Sequence, residues 1–164
     1  MTAQERLDQM IDDFDTAMLI SRSLEGKLRA RPMAVAGHDE GEGGLLYFAT
    51  RSGTEKLDEI RQAPDVAVTF QDDNHFLSIS GEARMQVDPQ LARKLWSPAM
   101  KIWFPDGPED PRLALIVVDP DYAEFWDNGG LDKLEFLWEA GKAIVKGEAI
   151  DDSYLSGNAK VKTD

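Results

Sequence analysis

The stretch Phe76-Leu-Ser-Ile-Ser-Gly-Glu-Ala-Arg-Met-Gln-Val87 is the longest clean alternation in the chain. Leu77, Ile79, Gly81, Ala83, Met85 and Val87 fall on one face, and Ser78, Ser80, Glu82, Arg84 and Gln86 on the other. A period of two marks a strand with one face on a core and the other toward water. Working outward, Asp72-Asp-Asn-His75 reads as a hairpin turn, and residues 66–71 as the strand before it. Upstream of these, residues 16–21, 27–37 and 45–50 read as strands, with the Gly-rich turn 37–44 between the last two. Downstream, residues 112–126 are mostly extended, interrupted at Asp119-Pro-Asp121.

Helical spacing appears in four places: residues 3–14, 51–63, 89–96 and 131–146. In the second, Ser52-Gly-Thr-Glu55 matches a capping box, with Ser52 at the N-cap and Glu55 three residues on. Pro64 stops that helix. Residues 97–111 hold four of the chain's eight prolines and read as a long loop. From residue 147 the chain is small, polar and charged, which predicts a flexible tail over 147–164. Strands joined by tight turns pair antiparallel, and closing them into a barrel removes the edges. The expected architecture is mainly β (α+β): a six-stranded antiparallel barrel with flanking helices, forming one domain over residues 1–146.

Composition narrows the function. The chain has 164 residues, 18 basic and 31 acidic, for a net charge of −13, and no cysteine. It is long and apolar enough for one real core. The absence of cysteine excludes disulfides, thiolate metal sites and cysteine nucleophiles. The negative charge argues against nucleic acid or an anionic membrane as partner. Residues 1–10 lack the basic and apolar segments of a signal peptide, and no apolar run approaches the length of a spanning helix, so a cytoplasmic location is expected. His38 and His75 sit in or beside turns and match no metal-ligand spacing, so no metal site is expected.

Three clusters can carry chemistry. In Tyr47-Phe-Ala-Thr-Arg-Ser-Gly-Thr-Glu-Lys56 a strand delivers the chain to a helix start. Free N–H groups and the helix dipole gather there beside Arg51, Ser52, Thr54 and Lys56, which suits a phosphate; an ordinary helix cap with surface cations is the alternative. Arg29 and Arg31 share a strand face, as a clamp for phosphate or carboxylate or as a solvated face. Pro32, next to Arg31, cannot donate to the ladder and so predicts an edge or bulged position. Trp103-Phe-Pro-Asp-Gly107 puts two aromatics before a turn, where they cover a planar ligand, plug the core or meet a second subunit. Trp126 is a similar case.

With those residues in hand, the chain resembles the bacterial general stress proteins of the pyridoxamine 5′-phosphate oxidase-like, FMN-binding split-barrel superfamily. The resemblance rests on Thr16-Ala-Met-Leu-Ile-Ser, Leu28-Arg-Ala-Arg-Pro-Met, Leu46-Tyr-Phe-Ala-Thr, Thr54-Glu-Lys56, Pro64-Asp-Val-Ala-Val-Thr-Phe, Ser80-Gly-Glu-Ala, Trp103-Phe-Pro-Asp-Gly and Ala123-Glu-Phe-Trp126, in that order. It implies a six-stranded split barrel that dimerises with itself, with FMN (or FAD) at the interface. It further implies that Arg31, Pro32 and Met33 lie along the flavin ring, and that Phe48, Ala49 and Thr50 line the facing strand. Thr54 and Lys56 then meet the phosphate, with Arg51 replacing a family cation whose place Glu55 takes here. Trp103 and Trp126 approach the flavin. The resemblance implies a flavin-dependent oxidoreductase of unstated substrate; the alternatives are a flavin sensor without turnover and a true pyridoxamine 5′-phosphate oxidase. The last lacks support, because the region after Trp126 has no arginine or histidine.

Overall fold

The structure is a computed structural model that describes residues 2–41, 43–127 and 159–162. In chain order the elements are α1 (Ala3–Asp12), β1 (Thr16–Arg22), β2 (Leu28–His38), β3 (Leu46–Arg51), α2 (Glu55–Gln62), β4 (Asp65–Gln71), β5 (His75–Gln86), α3 (Pro89–Leu95), two 3-10 turns (Pro98–Ile102 and Gly107–Glu109), β6 (Leu113–Asp127) and β7 (Ala159–Lys162). All strand pairs are antiparallel. The order β3-β2-β1-β4-β5-β6 returns on itself through a β3–β6 pairing, which makes a closed six-stranded barrel. The fold expected from the alternation is therefore the fold observed.

The alternation of β5 is a burial pattern. Leu77, Ile79 and Ala83 are buried in the barrel with Leu19, Phe48, Val68, Ile116 and Val118. Val87 departs from the expected face: β5 ends at Gln86, and Val87 is exposed. The interruption expected at Asp119-Pro-Asp121 is a bulge inside one continuous β6, where the register against β5 shifts between Ser80 and Gly81. Gly81 is required there, because a Cβ would lie 2.0 Å from the Asp119 carbonyl oxygen. Leu7, Met10 and Ile11 of α1, and Leu57 and Ile60 of α2, complete the core.

Two elements differ from the sequence expectation. The helix at 51–63 begins only at Glu55, with Thr54 as its N-cap, so Ser52 is not the cap. Arg51 is still in β3, and the Ser52 amide donates to the Arg112 carbonyl 2.7 Å away, extending the strand pairing. Gly53, at a φ of 75°, then turns the chain. The second difference is in the segment expected to be a tail, where residues 159–162 pair with Tyr122 to Phe125 of β6. The expected helix at 131–146 lies outside the described residues. The expected loop 97–111 is held by its two 3-10 turns, which seat Met100 and Phe104 in a small cluster with Ala92 and Leu113.

The barrel is not sealed along its whole length. β2 pairs with β1 from Leu28 to Ala34 but meets β3 only from Val35 to His38. The end of β3, Ala49 to Arg51, pairs with β6 alone. Between these two half-strands the barrel splits. Pro32 is opposite Met18 of β1 and has no partner on β3, and an edge of this kind is where a strand tolerates a proline.

Candidate functional site

The split opens into a cleft of about 520 Å³, inside the usual range for a small-molecule site of roughly 300–1,000 Å³. One wall is Thr16, Pro32, Met33 and Ala34; the other is Ala49, Thr50 and Arg51. Thr54 and Lys56 close one part of it at the start of α2, and Met100, Trp103 and Phe104 another. Strand alternation gives the buried part of each wall, and Pro32, Ala34, Ala49 and Arg51 join it from the opposite strand face. Thr50 continues the inward series Leu46, Phe48, Thr50, and Met33 faces inward from the partner strand.

The donors in this cleft are under-used. The Thr50 and Thr54 hydroxyls are buried and have no hydrogen-bond partner. Thr54 sits at the N-cap without making the side-chain bond such a residue usually makes. The Leu57 amide donates to the Thr54 carbonyl at 3.0 Å, which leaves the Glu55 and Lys56 amides without an intrahelical acceptor at the positive end of the dipole. Lys56 Nζ lies 3.6 Å from Met33 Sδ, a weak acceptor. Burial first, and the nearby Arg31 charge second, push the Lys56 ammonium below its ordinary range. A neutral thioether and a like charge leave that cation unbalanced. An anion with several oxygens satisfies all these groups at once.

The cleft brings together Pro32, Met33, Ala49, Thr50, Arg51, Thr54, Lys56 and Trp103 from the sequence-predicted set. It does not include Arg31, Phe48 or Trp126. Phe48 is fully buried among core residues inside the barrel, so its side chain faces the core. Trp126 is opposite Phe76 on the β5–β6 ladder. Arg31 turns its guanidinium to Glu59 of α2, with Nη1 to Oε2 at 2.5 Å and Nη2 to Oε1 at 2.9 Å. Phe104, singled out from the sequence beside Trp103, also lines the cleft, whereas sequence reasoning missed Met100, because a proline-rich segment reads as loop. Its spacing of three residues from Trp103, one 3-10 turn, is the signal that was present.

Trp103, on the cleft lining, is 58% exposed, and its chain neighbour Ile102 is 77% exposed. Arg51 reaches across the cleft, its Nη2 3.4 Å from the Trp103 carbonyl. None of the lining residues is histidine, aspartate or glutamate. The walls are thus built to hold a ligand with an anionic end and an apolar body, and among the described residues they carry no carboxylate or imidazole. Among the described residues no helix is long and apolar enough to cross a membrane.

A model of the family described as pyridoxamine 5′-phosphate oxidase like matches residues 2–151. Protein bli-3 of Neurospora crassa is 32% identical over 130 residues, covering 68% of this chain and 62% of that protein. The chain thus spans less than two thirds of that relative's length. General stress protein 26 of Bacillus subtilis is 29% identical over 102 residues, covering 59% of this chain and 69% of that protein. Among solved structures, the general stress FMN/FAD binding protein of Xanthomonas citri is 33% identical, with a TM-score of 0.65 over 77% of this chain and 89% of that one.

Proposed function

The chain belongs to the pyridoxamine 5′-phosphate oxidase-like family, and from that premise we propose that it is a flavin protein of the general stress type whose cleft takes FMN. The observation that carries this reading is the convergence of two unpartnered hydroxyls, Thr50 and Thr54, on one cleft with Lys56 and the uncapped start of α2. A phosphomonoester is the ligand group that supplies acceptors to all of them. The solved relative from Xanthomonas citri is an FMN/FAD binding protein, which supports the flavin class.

The residues divide the work. Thr54, the α2 amides and Lys56 hold the phosphate, and Arg51 adds a second cation at the rim. Met33, Met100, Trp103 and Phe104 give an apolar wall for a planar ring. Bound flavin would supply the hydride and electron chemistry, while the protein holds and orients it. Among the described residues the wall carries no histidine or carboxylate, and what they contribute is binding and exclusion of water.

The same reading takes the protein as a homodimer with the flavin at the interface. Met18, Leu28 and Pro32 share the outer face of the β1–β2 ladder and are exposed. That apolar strip adjoins the open cleft, and Trp103 on its lining and the neighbouring Ile102 are exposed. Covering it with a second copy would close the cleft and remove the exposed apolar surface.

The test is direct. Purified protein is incubated with excess FMN, desalted, and its visible spectrum recorded. Retained flavin bands are the expected result. A colourless protein after desalting, with no binding in a fluorescence titration, overturns the reading.

A further inference from the structure

Beside the cleft lies a buried charge that the reading above does not use. Glu59 of α2 is 2% exposed. A carboxylate so placed is strongly unfavourable unless it is paired and hydrogen-bonded. Here it is both: the Arg31 fork grips both oxygens, and the Ser21 hydroxyl donates to Oε2 at 3.4 Å. The Arg31 hydrogen bonds hold the Glu59 carboxyl below its ordinary range, and Glu59 in turn raises Arg31. For stability alone, apolar residues of similar volume would serve as well. The position of the pair indicates what else it does.

β2 and α2 meet as a two-rung ladder. Arg31 and Met33 alternate onto one face of β2, and Lys56 and Glu59, three residues apart, share one face of α2. One rung is Arg31 to Glu59, and the other is Met33 to Lys56. Only the second opens into the cleft. The charged groups around the pair are Arg29, which acts on Glu59, Glu55, which acts on Arg31, and Lys56 itself. Arg51 stands on the far wall.

We propose that Glu59 is a positioning and charge-balancing residue of this cleft: its carboxylate fixes Arg31 outside the cleft lining and offsets part of its charge, so that Lys56 is the cation an anionic ligand meets on that wall. This rests on the phosphate reading of the cleft. The arrangement leaves Lys56 and Arg51 as the cations that line the site and reduces what Arg31 adds to its positive field. It tunes retention of a phosphomonoester below what three free cations would give.

Glu59→Gln tests it, because the sign of the effect separates charge balance from simple support. Removing the anion leaves Arg31 uncompensated beside the site. FMN then binds about tenfold more tightly at low ionic strength, and the gain shrinks as salt is added. In the flavin-free protein, NMR titration of the Lys56 ammonium moves to lower pH than in the wild type. Glu59→Asp keeps the charge, and both readouts stay within about twofold of the wild type. A residue that merely supports the fold gives weaker FMN binding in Glu59→Gln and an unmoved Lys56 titration; either result overturns the proposal. Should Glu59→Gln fail to fold, Glu59→Asp decides, since a tenfold loss of FMN affinity in a folded, charge-retaining variant also overturns it. If the wild type binds no FMN, the functional reading fails, while the Lys56 titration still tests the charge balance.

Discussion

Replacing Lys56 by methionine separates what a residue does for the fold from what it does for a ligand. Lys56 is half-buried, and its ammonium is recorded against the Met33 sulfur at 3.6 Å rather than against a carboxylate. Its burial and the neighbouring Arg31 charge both disfavour the cation in the empty cleft. Methionine keeps the length, loses the charge and packs well against a thioether. The flavin-free variant is therefore expected to be as stable as the wild type or up to about 1 kcal/mol more stable.

Ligand binding should change in the opposite direction. A hydrogen bond to a charged group contributes about 1.5–3 kcal/mol. Losing the contact between Lys56 and a phosphate then weakens FMN binding by about 10- to 150-fold. The assay pairs a flavin fluorescence titration at low and high ionic strength with denaturant unfolding of the flavin-free protein. The affinity loss should be larger at low salt, because part of it is Coulombic. An FMN affinity within about twofold of the wild type refutes the anchor. A flavin-free variant destabilised by more than about 1 kcal/mol refutes the claim that the cation is poorly satisfied when the cleft is empty.

Three further expectations follow from the geometry. Gly81→Ala places a methyl 2.0 Å from the Asp119 carbonyl oxygen, so the β5–β6 bulge must open; the cost is roughly 3 kcal/mol, read from the urea midpoint. Burial, reinforced by the hydrogen bond to Asp39, pushes the Tyr47 phenol up to about 12 from its ordinary 10.0. The folded state thus holds that proton more tightly than the unfolded chain, so its contribution is complete below pH 10.0 and is lost as pH rises through about 12. Tyr47→Phe should flatten that alkaline slope in a series of unfolding midpoints. Leu28 is 63% exposed on the outer face of β2, so Leu28→Glu should leave the monomer's stability within about 0.5 kcal/mol while shifting sedimentation from dimer to monomer.

The fold was legible where one physical rule acted alone. β5 has one face in the barrel and one outside it, so its pattern of side chains gives its structure directly. The site was legible at Thr54 and Lys56 for a different reason: a strand running into a helix start exposes donors whatever the rest of the chain does. Reading failed where two rules competed. Ser52 fits a capping box with Glu55, yet β3 keeps its pairing with β6 past Arg51, and the ladder hydrogen bond to Arg112 decides the helix start. Phe48 sits in a motif associated with ligand contact, but alternation with Leu46 puts its side chain in the core. Glu59 was invisible, since an acid on an amphipathic helix reads as solvated. Only its spacing from Lys56, taken together with Arg31 on the facing strand, marks it as buried, and that pairing is a tertiary fact.

One constraint links these observations. A closed barrel has no free edge, and among the described residues this one is split between the first half of β2 and the end of β3. Pro32 stands at that gap and cannot donate to a neighbouring strand, so a sheet-like pairing across it is disfavoured from the start. The open edge would ordinarily be a liability. Here the chain leaves the Thr50 and Thr54 hydroxyls without partners at the same gap and brings a helix start and a poorly balanced lysine to it. Satisfying those groups from within would take only small changes, such as an ordinary cap at Thr54 or a carboxylate near Lys56. The carboxylate that the sequence does supply, Glu59, is instead spent on Arg31. Among the described residues four buried side-chain polar atoms lack a partner: Gln4 Oε1 and His38 Nε2 lie away from the cleft, while the Thr50 and Thr54 hydroxyls lie together where the barrel is open, which is the arrangement expected there if a ligand rather than the chain completes the hydrogen bonding.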